Sequence, residues 1–431
     1  MLIQVKLISK KWVLSMKKIF VTLCLMLMAG LYSYVVAEKI NRQIIETETL
    51  KNNLDIAIEK LKLDNAKQEH NKALSGFFPN VSLLGKYLRH LSNNKYDYFC
   101  GLNVSFTIFD GFSRYNYIRE KVAEVKIKEA SYNRAVAKAI YESNEIYIRL
   151  MSEYENRELL YEIRKRTEKN RDIVKLKYNS GLTDITDLKR VELDILGIDC
   201  DLEIVKRNIA LFSERLLKSM GRNDDTVLLE TDERVDIYYN NKKLPSEPNY
   251  CDIIVSMPEF LTAQYNFDGH KAQQARIKGQ KRWPLSNFSS QYGTGKDGKV
   301  NKNLEVNMNY TIFSGGEISS DVKIASNNLE IASRELKSKF DSLRLEAKRY
   351  YNDLIRAWED VNIKEQYVNV LKLKAEISSK KYANGFSRHE DWYSIENSYI
   401  GLQKELLKAK KDVALKLVMW EIFICLEIKD R

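Results

Sequence analysis

The chain has few helix breakers. Only five prolines occur in 431 residues, at 79, 245, 248, 258 and 284. Two long stretches, Phe112 to Ser180 and Glu317 to Asn384, contain neither proline nor glycine. Inside a helix, proline costs about 3 kcal/mol and glycine about 1. Nothing therefore interrupts two rods of about 70 residues, each ~100 Å long at ~1.5 Å per residue. Ordinary helices have ~11–12 residues, so a compact globular domain has no place for these two.

Other scarcities narrow the function. The four histidines, His70, His90, His270 and His389, are widely spaced. There is no phosphate loop and no nucleophile motif, and Gly293-x-Gly295 has no helix after it, which argues against a dinucleotide site. We read the chain as not an enzyme, with no cofactor and no metal. The five cysteines, Cys24, Cys100, Cys200, Cys251 and Cys425, form neither a disulfide framework nor a metal site. Net charge is +11, but Lys6, Lys10, Lys11, Lys17 and Lys18 supply five of those charges before the first acid, Glu38. Without a basic cluster interleaved with aromatics, nucleic acid is not an expected partner. No long apolar run follows residue 37, so any membrane crossing must use strands.

Lys17-Lys18, the apolar run Ile19 to Leu31 and Val35-Val36-Ala37 have the layout of a secretory signal, cleaved after Ala37. Met16 offers an alternative start. The competing reading, a membrane anchor, meets an apolar run short for a span. Leu23 before Cys24 is bulky where a lipidation site needs small residues.

The rods are two copies of one unit. Thr107-Ile108-Phe109-Asp110-Gly111 precedes the first and Thr311-Ile312-Phe313-Ser314-Gly315 the second; Tyr178-Asn179-Ser180-Gly181 and Tyr382-Ala383-Asn384-Gly385 close them. Phe109 and Phe313, Tyr178 and Tyr382, Gly197 and Gly401 all stand 204 residues apart. A constant offset over such a distance marks an internal repeat. The second rod carries a heptad seam through Ile318, Val322, Ala325, Leu329, Ala332 and Leu336. It continues from Phe340 through Leu343, Ala347, Tyr350, Leu354, Ala357 and Val361 after one four-residue stutter. Gly181 and Gly385 fit left-handed helix ends. Thr183 or Asp184, and a capping box Ser387–Glu390, should open the return helices, which reach about Met220 and Ile428.

Before each rod the period falls to two. Val81, Leu83, Gly85 and Tyr87, then Leu102, Val104, Phe106 and Ile108, alternate mainly with polar residues; Leu304, Val306, Met308, Tyr310 and Ile312 do so more cleanly. These are strands with one oily and one wet face. The domain plan is residues 1–37 signal peptide, 38–221 first repeat with a hairpin about 79–109, 222–256 inter-repeat segment, and 257–431 second repeat with a hairpin about 284–313. Helices are expected over 39–77 and 257–281. Four strands cannot close a barrel, and an open sheet is forbidden in lipid. Closure must come from sister chains. The fold class expected is mainly α with a small membrane β-barrel portion, assembled as a cyclic homo-oligomer.

These features resemble the TolC family of outer-membrane efflux ducts. The repeat, the Phe-Asp-Gly and Phe-Ser-Gly joints and the tip Asn179-Ser180-Gly181-Leu182-Thr183-Asp184-Ile185-Thr186-Asp187-Leu188 carry the likeness over nearly the whole mature chain. It implies a homotrimeric α/β-barrel duct in the outer membrane of a Gram-negative-type cell, with a long periplasmic extension. A small equatorial domain would form from 222–256 and the ends near 39–45 and 421–431. The implied partners are a periplasmic adaptor, an inner-membrane transporter and outer-membrane lipid, in tripartite efflux or type I secretion. Adaptor-contacting tips map to Ser180, Gly181, Leu182, Asn384, Gly385 and Phe386. The periplasmic gate maps to Asp187 and Tyr382, as a hydrogen-bonded latch, and to Asp391, as a ring carboxylate. The family's second ring aspartate falls on Ser394, its tip arginine on Ser387 beside Arg388, and Trp392 stands where a small aliphatic residue is usual. Helix N-terminal charge is the plainer reading of Asp187 and Asp391. Two other readings compete: a soluble hairpin packed under helices, and an exported periplasmic coiled-coil scaffold without channel activity.

Overall fold

A computed structural model describes residues 36–90, 95–222, 227–239, 244–295 and 298–424. The signal segment up to Val35, Cys24, Cys425, the turn residues 92–94 and 296–297, and the last seven residues lie outside them.

The elements run β1 (Val36–Lys39), α1 (Arg42–Asn52), α2 (Leu54–Ser75), β2 (Asn80–His90), β3 (Lys95–Phe109), α3 (Ser113–Asn179), α4 (Ile185–Ser219), β4 (Val227–Glu230), α5 (Tyr250–Ser256), α6 (Pro258–Arg282), β5 (Leu285–Gly295), β6 (Val300–Asn309), α7 (Glu317–Ala383) and α8 (His389–Ile424). The two rods, α3 and α7, have 67 residues each. On the sheet side, α2 lies on α3, and α6 lies on both α3 and α7. Toward the other end, α4 returns along α3, and α8 along both α7 and α3. The expected heptad seam of α7 is buried or half-buried along its length.

The helix expected over 39–77 is two helices after a short strand. Asn53 interrupts it with extended ψ; its side chain accepts from the amides of Asp55 and Ile56 and starts α2. β1 pairs in parallel with β4 of the inter-repeat segment, and Arg222 forks onto Glu38 at 2.9 and 2.7 Å. The same segment is tied to the middle of α3. Tyr147 Oη meets Thr231 and Glu233 at 2.7 Å each, and Tyr154 donates to the Leu229 carbonyl at 2.7 Å. Around these bonds lies the first core, with Ile45, Leu150, Met151, Leu216 and Val235. The second gathers Leu354, Val413, Leu417 and Trp420 with Ile254 and Met257.

The two hairpins join in one antiparallel sheet of order β2-β3-β5-β6. Its register separates two chemistries. Val81 faces Val104, Phe106 faces Phe288, and Phe288 faces Val306. On the opposite side Ser82 faces Asn103, Asn103 faces Gln291, and Ser289 faces Glu305. Among the described residues no helix covers the oily face: Leu83, Leu304 and Met308 are each more than 70% exposed. The soluble-hairpin reading required those residues to face protein. β6 ends at Asn309, short of Ile312, because Thr311–Ser314 turn into the joint.

Where sheet meets rod, Asp110 accepts from the Arg114 amide at 2.9 Å, and Ser314 accepts from the Ile318 amide at 3.4 Å. The repeat therefore reuses one polar joint. Gly111, at φ +64, lies against Gly279 of α6: a Cβ on either residue would sit within 2.3 Å of the other's carbonyl oxygen. Gly279→Ala should lower the thermal unfolding midpoint by several degrees. Gly197→Ala, in the middle of α4 with nothing within 4 Å of its Cβ position, should hold or raise it, because alanine favours helix by about 1 kcal/mol. Circular dichroism melting of the two variants checks the contrast.

Candidate gate at the helical tips

Each rod ends in the same backbone motif. Leu182 and Phe386 amides reach back to the Lys177 and Lys381 carbonyls at 2.8 Å, while Gly181 and Gly385 sit at φ +70 and +84. These are Schellman ends, with glycine where a side chain would be strained. The six tip residues expected from the resemblance thus form two matching turns. Leu182 is 73% and Phe386 82% exposed, so each turn offers an uncovered apolar side chain to its surroundings.

The return helices start differently. Asp184 caps α4 by accepting from the Thr186 amide. The capping box expected at Ser387–Glu390 does not form: the Ser387 hydroxyl donates to the Arg388 carbonyl instead.

Three expected gate residues are placed as follows. Asp187 is half-buried at the start of α4 and Tyr382 is buried at the end of α7, but the expected hydrogen bond between them is absent; the Tyr382 hydroxyl meets no partner of hydrogen-bonding geometry among the described residues. Burial foremost, with the Asp187 charge, pushes its pKa up against the opposing effect of Thr183. Asp187 instead takes the Thr183 hydroxyl at 2.5 Å and faces His389 Nδ1 at 3.0 Å. The Tyr382 ring lies flat on Trp392, ring centroids 4.5 Å apart and planes 3° apart. Asp391 is exposed on the first turn of α8 and has no ion pair among the described residues.

Sequence reasoning missed the heart of this cluster. His389 is 8% exposed, set edge-on to Tyr382 and Trp392 and stacked on Tyr393. Val174, Leu188 and Val191 complete the packing. The cluster takes residues from α3, α4, α7 and α8, so it joins the coil of one repeat to that of the other. Lys177 lies over the Tyr382 ring and Arg190 over Tyr393, at 4.5 and 4.3 Å. Burial is the main cause that lowers the His389 pKa; Asp187 opposes it.

A second bridge lies one to two turns along. Arg166 of α3 forks onto Glu396 of α8, one of its two bonds measuring 2.9 Å, and Asn170 donates to the same carboxylate at 3.2 Å. Glu396 is 4% exposed. The Tyr393 hydroxyl donates to Asp194 at 2.9 Å and Lys404 reaches Asp201 at 2.8 Å. Asn170, Asp194, Asp201, Tyr393, Glu396 and Lys404 line a cavity of about 310 Å³ between α3, α4 and α8. Only the chain fold could reveal them: Arg166 and Glu396 are 230 residues apart. Among the described residues, no three of His, Cys, Asp or Glu gather around one point suited to a metal ion, and no helix is long and apolar enough to cross a membrane.

With this geometry in view, comparison with known proteins is informative. Residues 47–222 match the family of outer membrane efflux proteins. No curated protein matches the chain by sequence. Solved structures similar along most of the chain include the CusC transmembrane channel, with TM-score 0.80, 14% identity, and 89% of this chain and 91% of that chain covered. They also include the open state of the Neisseria gonorrhoeae MtrE outer membrane channel (0.78, 15%, 89% and 88%) and the Campylobacter jejuni CmeC outer membrane channel (0.74, 17%, 89% and 85%). The likeness to TolC-family channels read from the sequence holds, and the mainly helical architecture with its short strands is the fold of those channels.

Glu396→Ala leaves Arg166 without its partner. Because Arg166 keeps 29% of its side chain exposed, the expected loss is about 2 kcal/mol, below the cost of breaking a fully buried pair. Glu330→Ala, on the exposed Arg334 pair, should change stability by less than about 0.5 kcal/mol. Denaturant midpoints of the two variants test this.

Proposed function

We propose that this chain is one third of an outer-membrane exit duct that conducts cargo passively from periplasmic partners to the outside. The observation that carries the reading is the four-stranded sheet, oily on one face and amide- and hydroxyl-rich on the other, with both edge strands β2 and β6 unpaired in the chain. Exposed edges in hydrocarbon leave backbone groups without partners, at several kcal/mol each. Three copies joined β6 to β2 make a closed twelve-stranded wall, lipid-facing outside and wet inside, as in membrane barrels. The match to outer membrane efflux proteins over residues 47–222 supports the same reading.

The helical part supports closure by sister chains. The α7 residues Ile363, Val370 and Ile377 repeat at seven-residue steps and are each more than half exposed, as are Leu193 and Leu196 of α4. Such rows suit a neighbouring coil. On this reading residues 38–221 and 257–431 form the two repeats of each subunit, and 222–256 is the core of an equatorial collar. The tip turns, with Leu182 and Phe386 uncovered, meet a periplasmic adaptor that links to an inner-membrane transporter, in tripartite efflux or type I secretion. Asp391 supplies a ring of three carboxylates at the entrance, which favours cations there. A coiled-coil scaffold explains the heptads but leaves the amphipathic hairpins without a role.

Light scattering of the detergent-purified chain should give a mass of three copies, and planar bilayers should show cation-preferring pores. Asp391→Asn should weaken that preference with the trimer intact. A monomer, or a trimer without conductance, sinks the duct reading. Gly181 and Gly385 variants should reduce crosslinking to an adaptor.

A further inference from the structure

We propose that His389 is a positioning residue of the duct entrance: as neutral imidazole it completes the buried aromatic cluster, beside Asp187, that fastens the two coils of each subunit at the tip, and its protonation loosens them. The proposal rests on the duct reading for its consequence, but not for its geometry.

The pin is visible in the packing. His389 opens α8 and Asp187 opens α4, so their 3.0 Å contact spans the return helices of the two repeats. The imidazole lies between aromatic rings of α7 and α8. Both of its ring nitrogens are buried without a partner of hydrogen-bonding geometry, Nδ1 despite its 3.0 Å approach to Asp187. A neutral ring can leave them so at the cost of one unmade N–H bond, since its other nitrogen presents only a lone pair. A protonated ring cannot do so cheaply. It gains a second N–H donor facing no acceptor, and a charge in a site walled by Tyr382, Trp392 and Tyr393. Asp187 offers one compensating carboxylate, already shared with the Thr183 hydroxyl.

The charged groups around it divide. From α4, Asp187 favours the cation and Arg190 opposes it; from α8, Glu390 favours it; from α3, Lys177 adds a positive charge over Tyr382; α7 contributes only the neutral Tyr382. Burial outweighs the rest and lowers the His389 pKa. A histidine with a lowered pKa in the closed tip stabilises that tip above its ordinary value of 6.5. The stabilisation is lost as pH falls through the acid side, with a limiting slope of about tenfold per pH unit for one proton. Acid therefore loosens the entrance. Asp187 and Asp391 occupy equivalent positions of the two repeats, 204 residues apart, yet among the described residues only Asp187 has a histidine beside it. That histidine's own equivalent in the first repeat is Ile185.

The test is amide hydrogen exchange of segments 180–190 and 382–393 in the full-length protein between pH 8 and pH 5, corrected for intrinsic rates, with bilayer conductance recorded over the same range. Wild type should lose tip protection as the pH falls, by up to about tenfold per unit, and conductance should rise with it. His389→Gln should keep its protection at pH 5. Asp187→Asn removes the compensating carboxylate, so its transition should move to lower pH. Tip protection that responds to pH equally in wild type and His389→Gln overturns the pin, as does an unmoved transition in Asp187→Asn, whatever the conductance. A His389-dependent loss of protection in a protein that never conducts supports the pin and removes the duct.

Discussion

A buried backbone amide or carbonyl needs a partner, and hydrocarbon supplies none. Among the described residues, the strands β2 and β6 have a partner on one side only. Every larger feature of the molecule is arranged around that deficit. One sheet face is apolar and both edges are open among the described residues; on the proposed duct reading, lipid covers the face and other copies close the edges. On that reading the rods inherit the symmetry of the wall. Each copy sends down two coils, one from each hairpin, and Asp110 and Ser314 fasten sheet to rod by the same side-chain acceptance.

The rods are too long to be held by their ends. Helix packing alone gives each a seam, but a seam of small and medium residues such as Ala325, Ala332 and Ala347 permits sliding. The inter-repeat segment counters it at mid-height. Tyr147, Tyr154 and Glu155 bond to residues 229–235, and on the other side the Tyr351 hydroxyl reaches the Pro245 carbonyl at 3.0 Å. Both large cores lie at this level, where the chain has more than two layers to pack. Toward the tips the bundle thins, and polar bridges such as Arg166–Glu396 take over from apolar bulk.

Much of this was legible in the residues. The absence of proline and glycine set the rods to within a residue or two of their ends, because helix stops are local chemistry. Alternation of period two located the hairpins for the same reason. The break at Asn53 was hidden: asparagine is a tolerable helix residue, and only its two accepted amides turn it into a cap. The tip was legible in its backbone and not in its contacts. Gly181 and Gly385 are required by left-handed φ, which sequence signals directly. The partner of Asp187 depends on which of several nearby polar groups the aromatic stacking leaves in reach, and Tyr382 is taken up by Trp392. Trp392 was visible as a departure from the family pattern, and it is the residue stacked on Tyr382 at the centre of the cluster.

That cluster shows how a repeat acquires a switchable end. Two identical coils would pack with a pseudo-two-fold relation at the tip, and any change favouring one would favour the other. Here the equivalent positions have diverged: Tyr382 is buried where Tyr178 is 39% exposed, and Asp187 is held where Asp391 is free to face water. The second repeat has concentrated its aromatic residues and its histidine at the contact, and the first contributes the carboxylate. On the duct reading a ring of such subunits alternates unlike coils, so loosening the tip contact, with the Arg166–Glu396 bridge kept above it, lets one tip of every pair move while the other keeps its neighbours. Steric closure by apolar packing and release by a single buried titratable group are thus compatible in one structure. The packing supplies the rigidity, and the unpaired imidazole nitrogen supplies the instability that makes opening affordable in free energy.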